Sequence, residues 1–191
     1  GISIIYMKED LDTGDVITRQ AVPLHPDDTG GIVHDRLAEF APVVLKECLD
    51  GIAGGDVSRN PQDDSLATYA PKLHRADGEV DWNQSARFLE RRIRAHDPWP
   101  GSFTSFNDGR GRVRRLKIFP GGILQEKVPN GSPGELISVS SSGIVVACGK
   151  GGIQFSEVQV EGGNRLPVPE FIKGNSLTAG DRFFSLASEP E

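Results

Sequence analysis

The chain has 191 residues, 37% of them hydrophobic and 25% charged, with a formal net charge of -6. That make-up fits one or two globular domains, excludes a collagen, a coiled coil and a long disordered tail, and argues against a generic nucleic-acid binder. No run of about 18 apolar residues is present, so no membrane span is expected, and Cys48 and Cys148 lie too far apart in sequence, each among apolar neighbours, to suggest a disulfide framework.

The charge is not evenly spread. Residues 1–77 hold seven Lys and Arg against fourteen Asp and Glu, a net of -7, while residues 78–191 carry a net of +1. Within the second part, residues 87–117 hold nine basic residues against Glu90, Asp97 and Asp108, a net of +6. Such a segment is either a solvated helix face followed by a charged hairpin or a footprint for a phosphate backbone.

In chain order, residues 1–8 read as a strand already under way at Gly1, which points to the C-terminal part of a longer protein. Residues 9–15 form an acidic turn hinged on Gly14, and residues 16–22 resume as a strand. Thr29 is a good N-cap for a helix reaching about Asp50, with Gly51 stopping it and Pro42 kinking or dividing it. Residues 54–79 have the Gly, Asp and Pro content of a linker. A second helix is expected from about Ser85 to Ala95, ended by Pro98-Trp99-Pro100-Gly101, with His96 placed where a cation suits the helix dipole. Residues 102–106 and 112–119 flank a turn-rich connection and read as a hairpin. Residues 136–139, 144–148 and 153–160 read as three more strands, and a short helical turn begins near Pro169. Five short strands predict a small antiparallel barrel or open sandwich.

Asp12 stands out chemically, because it follows a strand on a glycine-containing turn, where α/β sheets place their sites. A carboxylate there can orient a water or take part in proton transfer. An aspartate in such a turn can equally bond its own backbone two residues on. His25, His34, His74 and His96 show no metal-ligand spacing with one another or with a cysteine, so no metal is assigned.

Four motifs together resemble a known family. Leu11-Asp12-Thr13-Gly14-Asp15 after an apolar strand resembles the catalytic-aspartate segment of formyltetrahydrofolate-dependent transferases. Val80-Asp81-Trp82 with Ile93-Arg94-Ala95-His96-Asp97-Pro98-Trp99-Pro100-Gly101 is similar to the second-domain signature of the methionyl-tRNA formyltransferases. Thr68-Tyr69-Ala70-Pro71-Lys72-Leu73 and Phe171-Ile172-Lys173-Gly174-Asn175-Ser176-Leu177 fit the same family.

The resemblance implies an α/β remnant of a Rossmann-like formyltransferase domain followed by a small antiparallel, OB-like β-barrel. Residues 1–59 would be the end of the catalytic domain, 60–77 the linker and 78–191 the tRNA-binding barrel. It implies transfer of a formyl group from 10-formyltetrahydrofolate to the amino group of initiator methionyl-tRNA, with no metal. Asp12 would be catalytic, and Glu9, Asp10, Leu11 and Asp12 would meet the folate. Arg87, Arg91, Arg94, Arg112, Arg114 and Lys117 would contact tRNA, with Arg112 and Arg114 on one strand face and Val113 on the other. The full-length protein would be a monomer of the cytoplasm, or of a mitochondrion or plastid in a eukaryote. The family's upstream Asn-x-His and Ser-Leu-Leu-Pro-type segments do not occur here, so the chain by itself is expected to be inactive. Two other readings fit parts of the pattern: a folate-dependent formyltransferase or hydrolase acting on an amino-sugar nucleotide, and an RNA-binding module without chemistry of its own.

Overall fold

The apolar opening of the chain folds back on itself. In the computed structural model, which describes residues 1–128 and 131–186, β1 (Ile2–Ile5) and β2 (Val16–Gln20) pair antiparallel as a two-stranded sheet. The register slips between Ile4, opposite Thr18, and Ile5, opposite Val16, so Ile17 is bulged out beside the turn that carries Asp12.

Helix α1 (Gly30–Gly54) follows, capped by the Thr29 hydroxyl accepting from the Ile32 N–H and closed by Gly55 in the left-handed region. It is neither divided at Pro42 nor stopped at Gly51. Pro42 removes the N–H that would bond the Ala38 carbonyl, but both residues are exposed, so water can take that carbonyl's bond. The helix buries only Val44 and Cys48 fully, while Val43, Leu45, Leu49 and Ile52 stay exposed. Two antiparallel strands and one helix make up the regular structure here, where the sequence resemblance implied an α/β remnant of a Rossmann-like domain.

The chain divides into two units, Gly1–Lys72 and Leu73–Glu191. The second begins with a 3-10 turn at Arg75–Gly78, followed by α2 (Ala86–Ala95), whose cap is Ser85 accepting from the Phe88 N–H. Ala86, Leu89 and Ile93 form its buried stripe, at helical spacing.

Among the described residues, nine strands follow in two antiparallel sheets. One has the order β10 (Arg165–Pro167), β9 (Glu157–Val160), β4 (Val113–Ile118), β3 (Ser102–Asn107), β11 (Phe183–Phe184). The other has the order β5 (Ile123–Gln125), β8 (Gly152–Phe155), β7 (Gly143–Ala147), β6 (Leu136–Ser140). The sheets meet along one seam, where the Leu136 N–H donates to the Asp181 carbonyl at 2.8 Å and the Phe183 N–H to the Gly134 carbonyl at 2.8 Å. β5 and β10 are the outer edges of the two sheets and are not paired with each other, so the expected barrel is not closed.

The single strand expected over 153–160 is two strands in different sheets. Ile153 and Phe155 are buried at odd positions and Val158 at an even one, a parity change that one regular strand cannot make. The break falls at Ser156, whose carbonyl accepts from the Val168 N–H as α3 (Val168–Gly174) begins.

Trp82, Leu116, Leu136, Ile144, Ile153, Phe155, Phe171 and Phe183 lie in one core cluster with the buried face of α2. The Trp82 indole N–H donates to Thr104 Oγ1 at 3.0 Å, and the Thr104 hydroxyl donates to the Phe184 carbonyl at 3.1 Å. His96 is also buried, and burial together with the nearby Arg92 charge lowers its pKa, which disfavours the cation that would suit the helix dipole there. Among the described residues no helix is long and apolar enough to cross a membrane.

Candidate functional site

In the first unit the turn between β1 and β2 presents Asp12 at φ 57°, the one described non-glycine residue with a positive φ. Aspartate tolerates that region because its short side chain can bond locally. The turn is fastened from below. Gln62 donates both hydrogens of its side-chain amide, to the Asp12 carbonyl at 2.7 Å and the Gly14 carbonyl at 2.8 Å. Gly14 must be a glycine here, because a Cβ would fall 1.5 Å from the Tyr6 carbonyl oxygen.

Asp15 binds the turn to its surroundings. It pairs with Lys8 at 3.2 Å and lies 3.9 Å from Arg59, whose guanidinium stacks 4.0 Å over the Tyr6 ring. A bridge between Val16 and Asn60 holds the same segment in place. Glu9, Asp10, Leu11 and Asp12 are all exposed. The turn therefore offers a carboxylate to solvent on a backbone that is fixed by its neighbours. Such a carboxylate can accept a proton from an attacking amine or orient a water. Gln62 escaped sequence reasoning because it lies in the stretch read as linker, 48 residues from the carbonyl of Gly14.

In the second unit the structure separates the basic residues by what they touch. Arg87 and Arg91 are exposed, one turn apart on the outer side of α2. Arg94 is paired with Glu90 at 2.5 Å, and Arg112 with Asp108 at 3.0 Å. Arg114 shares strand parity with the buried Leu116 and Ile118 and is half-buried at the start of β4. Arg112 precedes that strand. The outward face of β4 carries Arg115 and Lys117, of which only Lys117 was singled out from sequence. Taking Leu116 and Ile118 as the core positions of the strand would have identified Arg115.

Asp108 shows why the hairpin holds its shape. It accepts from the backbone N–H groups of Arg110 and Arg112, as well as from the Arg112 side chain, and these bonds, chiefly that of the Arg112 N–H, hold its pKa down. A carboxylate committed in this way leaves Arg112 partly neutralised. Among the described residues no group of three or more His, Cys, Asp and Glu side chains is placed to hold a metal ion.

Two family descriptions match the chain in order: Formyl transferase over residues 1–49, and Formyl transferase, C-terminal domain, over residues 72–176. Methionyl-tRNA formyltransferase of Akkermansia muciniphila is 44% identical over 176 residues, which are 92% of this chain and 55% of that protein. Its counterpart from Geobacter sulfurreducens is 40% identical over 182 residues, 95% of this chain and 55% of that protein. The chain spans about half the length of the curated relatives it matches.

Among solved structures, a HypX variant from Aquifex aeolicus superposes with a TM-score of 0.59 at 22% identity, covering 91% of this chain and 30% of HypX. HypX in complex with tetrahydrofolic acid gives a TM-score of 0.58 at 20% identity, covering 89% of this chain and 29% of HypX. At that identity the likeness is one of fold. With the C-terminal-domain description alone covering more than half of the sequence, and the transferase description ahead of it, the chain belongs to the formyl transferase family.

Proposed function

We propose that the whole protein to which this chain belongs transfers a formyl group from 10-formyltetrahydrofolate to the amino group of methionyl-tRNA. The observation that carries this reading is identity of 44% and 40%, over more than nine-tenths of the chain, to proteins named methionyl-tRNA formyltransferase. In this reading Asp12 accepts or orients the proton that the amine loses as it attacks the formyl carbon, and Glu9, Asp10 and Leu11 flank the folate. Gln62 and Asp15 hold the turn during the step. The oxyanion formed at the formyl carbon needs hydrogen-bond donors.

The finer fold follows from the same reading. The first unit is the end of a Rossmann-like domain, and the two sheets of the second are an OB-like barrel opened between β5 and β10. The tRNA lies against this unit, and of the basic residues named from sequence Arg87, Arg91 and Lys117 are the most available to it, because they are exposed and have no ion pair among the described contacts. The protein works where initiator tRNA is made ready, in the cytoplasm or an organelle.

The deciding experiment offers the whole protein two acceptors with 10-formyltetrahydrofolate: methionyl-tRNA and an amino-sugar nucleotide. Formylation of the tRNA and not of the sugar nucleotide is expected, and the reverse preference overturns the reading. Arg87→Ala plus Arg91→Ala is expected to weaken tRNA binding and to reduce its salt slope by about two units. An unchanged slope removes both residues from the interface.

A further inference from the structure

After α2 the chain runs through Asp97-Pro98-Trp99-Pro100-Gly101 into β3, and Trp99 is left 54% exposed. The loop itself is fastened: the Gly101 N–H donates to the His96 carbonyl at 2.8 Å and the Asp97 N–H to the Arg94 carbonyl at 3.2 Å. The exposed indole is therefore presented by a fixed backbone. It lines a cleft of about 230 Å³ together with Arg75, Phe103, Arg115 and Lys117. The guanidinium carbon of Arg75 lies 5.8 Å from the Trp99 ring centroid, and that of Arg115 lies 4.4 Å over Phe103. Phe103 is directly opposite Lys117 in the β3–β4 register, so Phe103, Arg115 and Lys117 share one face of the sheet.

Two carboxylates, Asp97 and Glu161, also line the cleft, and Glu161 meets Arg115 at 3.3 Å. Three cations against two acids leave a net of +1, and Arg75 and Lys117 have no ion pair among the described contacts.

We propose that this cleft binds one unpaired nucleotide of an RNA, with its base against the Trp99 indole and its phosphate between Lys117 and Arg115. An exposed aromatic face beside cations is the combination by which proteins hold single-stranded nucleic acid, because every base has a π-face and every linkage a charge. The cleft is smaller than the roughly 300–1,000 Å³ that a drug-sized ligand or cofactor takes, which favours a single base. A simple anion or an acidic peptide would use the cations and leave the indole without a partner. The inference rests on the RNA substrate proposed above, and it adds Arg75, Trp99 and Arg115 to the residues that meet it.

The test titrates the chain with single-stranded penta-adenylate RNA and with an abasic phosphodiester of the same length, following tryptophan fluorescence. Trp82 is buried at 3% exposure and serves as a constant background. Penta-adenylate is expected to quench Trp99 and to bind about tenfold more tightly than the abasic strand. Trp99→Ala is expected to lose that preference, Trp99→Phe to keep most of it, and Lys117→Gln to weaken both strands. Equal binding of the two strands by the parent, or an unchanged preference in Trp99→Ala, overturns the proposal. Should Trp99→Ala fail to fold, as judged by its melting curve, the comparison of the two strands on the parent and on Lys117→Gln decides. A protein that binds penta-adenylate through Trp99 but does not formylate methionyl-tRNA would overturn the proposed function and leave the cleft standing. One that formylates tRNA but binds both strands alike would do the opposite.

Discussion

Asp28 illustrates how single polar residues position the first unit. Arg36 donates to both of its carboxylate oxygens, at 2.6 and 2.8 Å, and also to the Pro23 carbonyl at 2.8 Å, while the His25 N–H donates to the same carboxylate at 2.8 Å. These bonds, first that of Arg36 and then that of His25, lower the Asp28 pKa from 3.8 to about 2. The folded value lies below the unfolded one, so the charged form adds stability above about pH 4, and that stability is lost as pH falls toward 2. Asp28→Asn is therefore expected to melt at a lower temperature than the parent at pH 6. The gap should close between pH 4 and pH 2, which circular-dichroism melts at several pH values can follow. A gap that stays constant across that interval contradicts the account. Glycine works at the same scale near Asp12: Gly14 is required by contact with the Tyr6 backbone rather than by a left-handed turn, and a motif alone does not distinguish the two.

At the scale of elements, the strands of the second unit show what periodicity can and cannot reveal. β3, β4, β6 and β7 are long enough for alternation to be read, and they were expected within a few residues of where they lie. β5, β10 and β11 have three, three and two residues, too few to show a period of two, and they were missed. The division of 153–160 is a parity change in the sequence that shows only once the core-facing residues are known. α1 begins at the expected cap and runs past the expected end, because a solvent-facing proline and a helical glycine weaken a helix without ending it.

Just before α2, the buried Trp82 ties the chain to β3: its indole N–H donates to the Thr104 hydroxyl, its acceptor among the described residues. Thr104→Val removes that acceptor and the bond to the Phe184 carbonyl. It is expected to cost about 1–3 kcal/mol in a denaturant titration. A loss within the error of the titration would mean that the indole finds another partner.

At the scale of the molecule, the two units differ in what they present. The first holds an aspartate turn whose rigidity comes from Gln62, Asp15 and Arg59, two of them outside the motif itself. The turn and the place of Asp12 on it were legible in sequence, but the hold of Gln62 and Arg59 was not, because they lie 44 to 50 residues from the turn residues they meet. The second unit holds an amphipathic helix, two joined sheets and an outward row of cations on β4. Its basic character was visible in the charge count. The commitment of Arg115 to Glu161 depended on the β4–β9 register that only the fold supplies, whereas Arg94–Glu90 and Arg112–Asp108 join residues four apart.

The role proposed for the Asp12 carboxylate in formyl transfer by the whole protein decides how the first unit is read. It is tested most directly by comparing the whole protein with its Asp12→Asn variant in single-turnover transfer from 10-formyltetrahydrofolate, with tRNA binding measured alongside. Loss of a positioned acid–base group is expected to slow transfer by roughly 100- to 10,000-fold while tRNA affinity stays within about twofold. Transfer by Asp12→Asn at the parent rate would contradict the account.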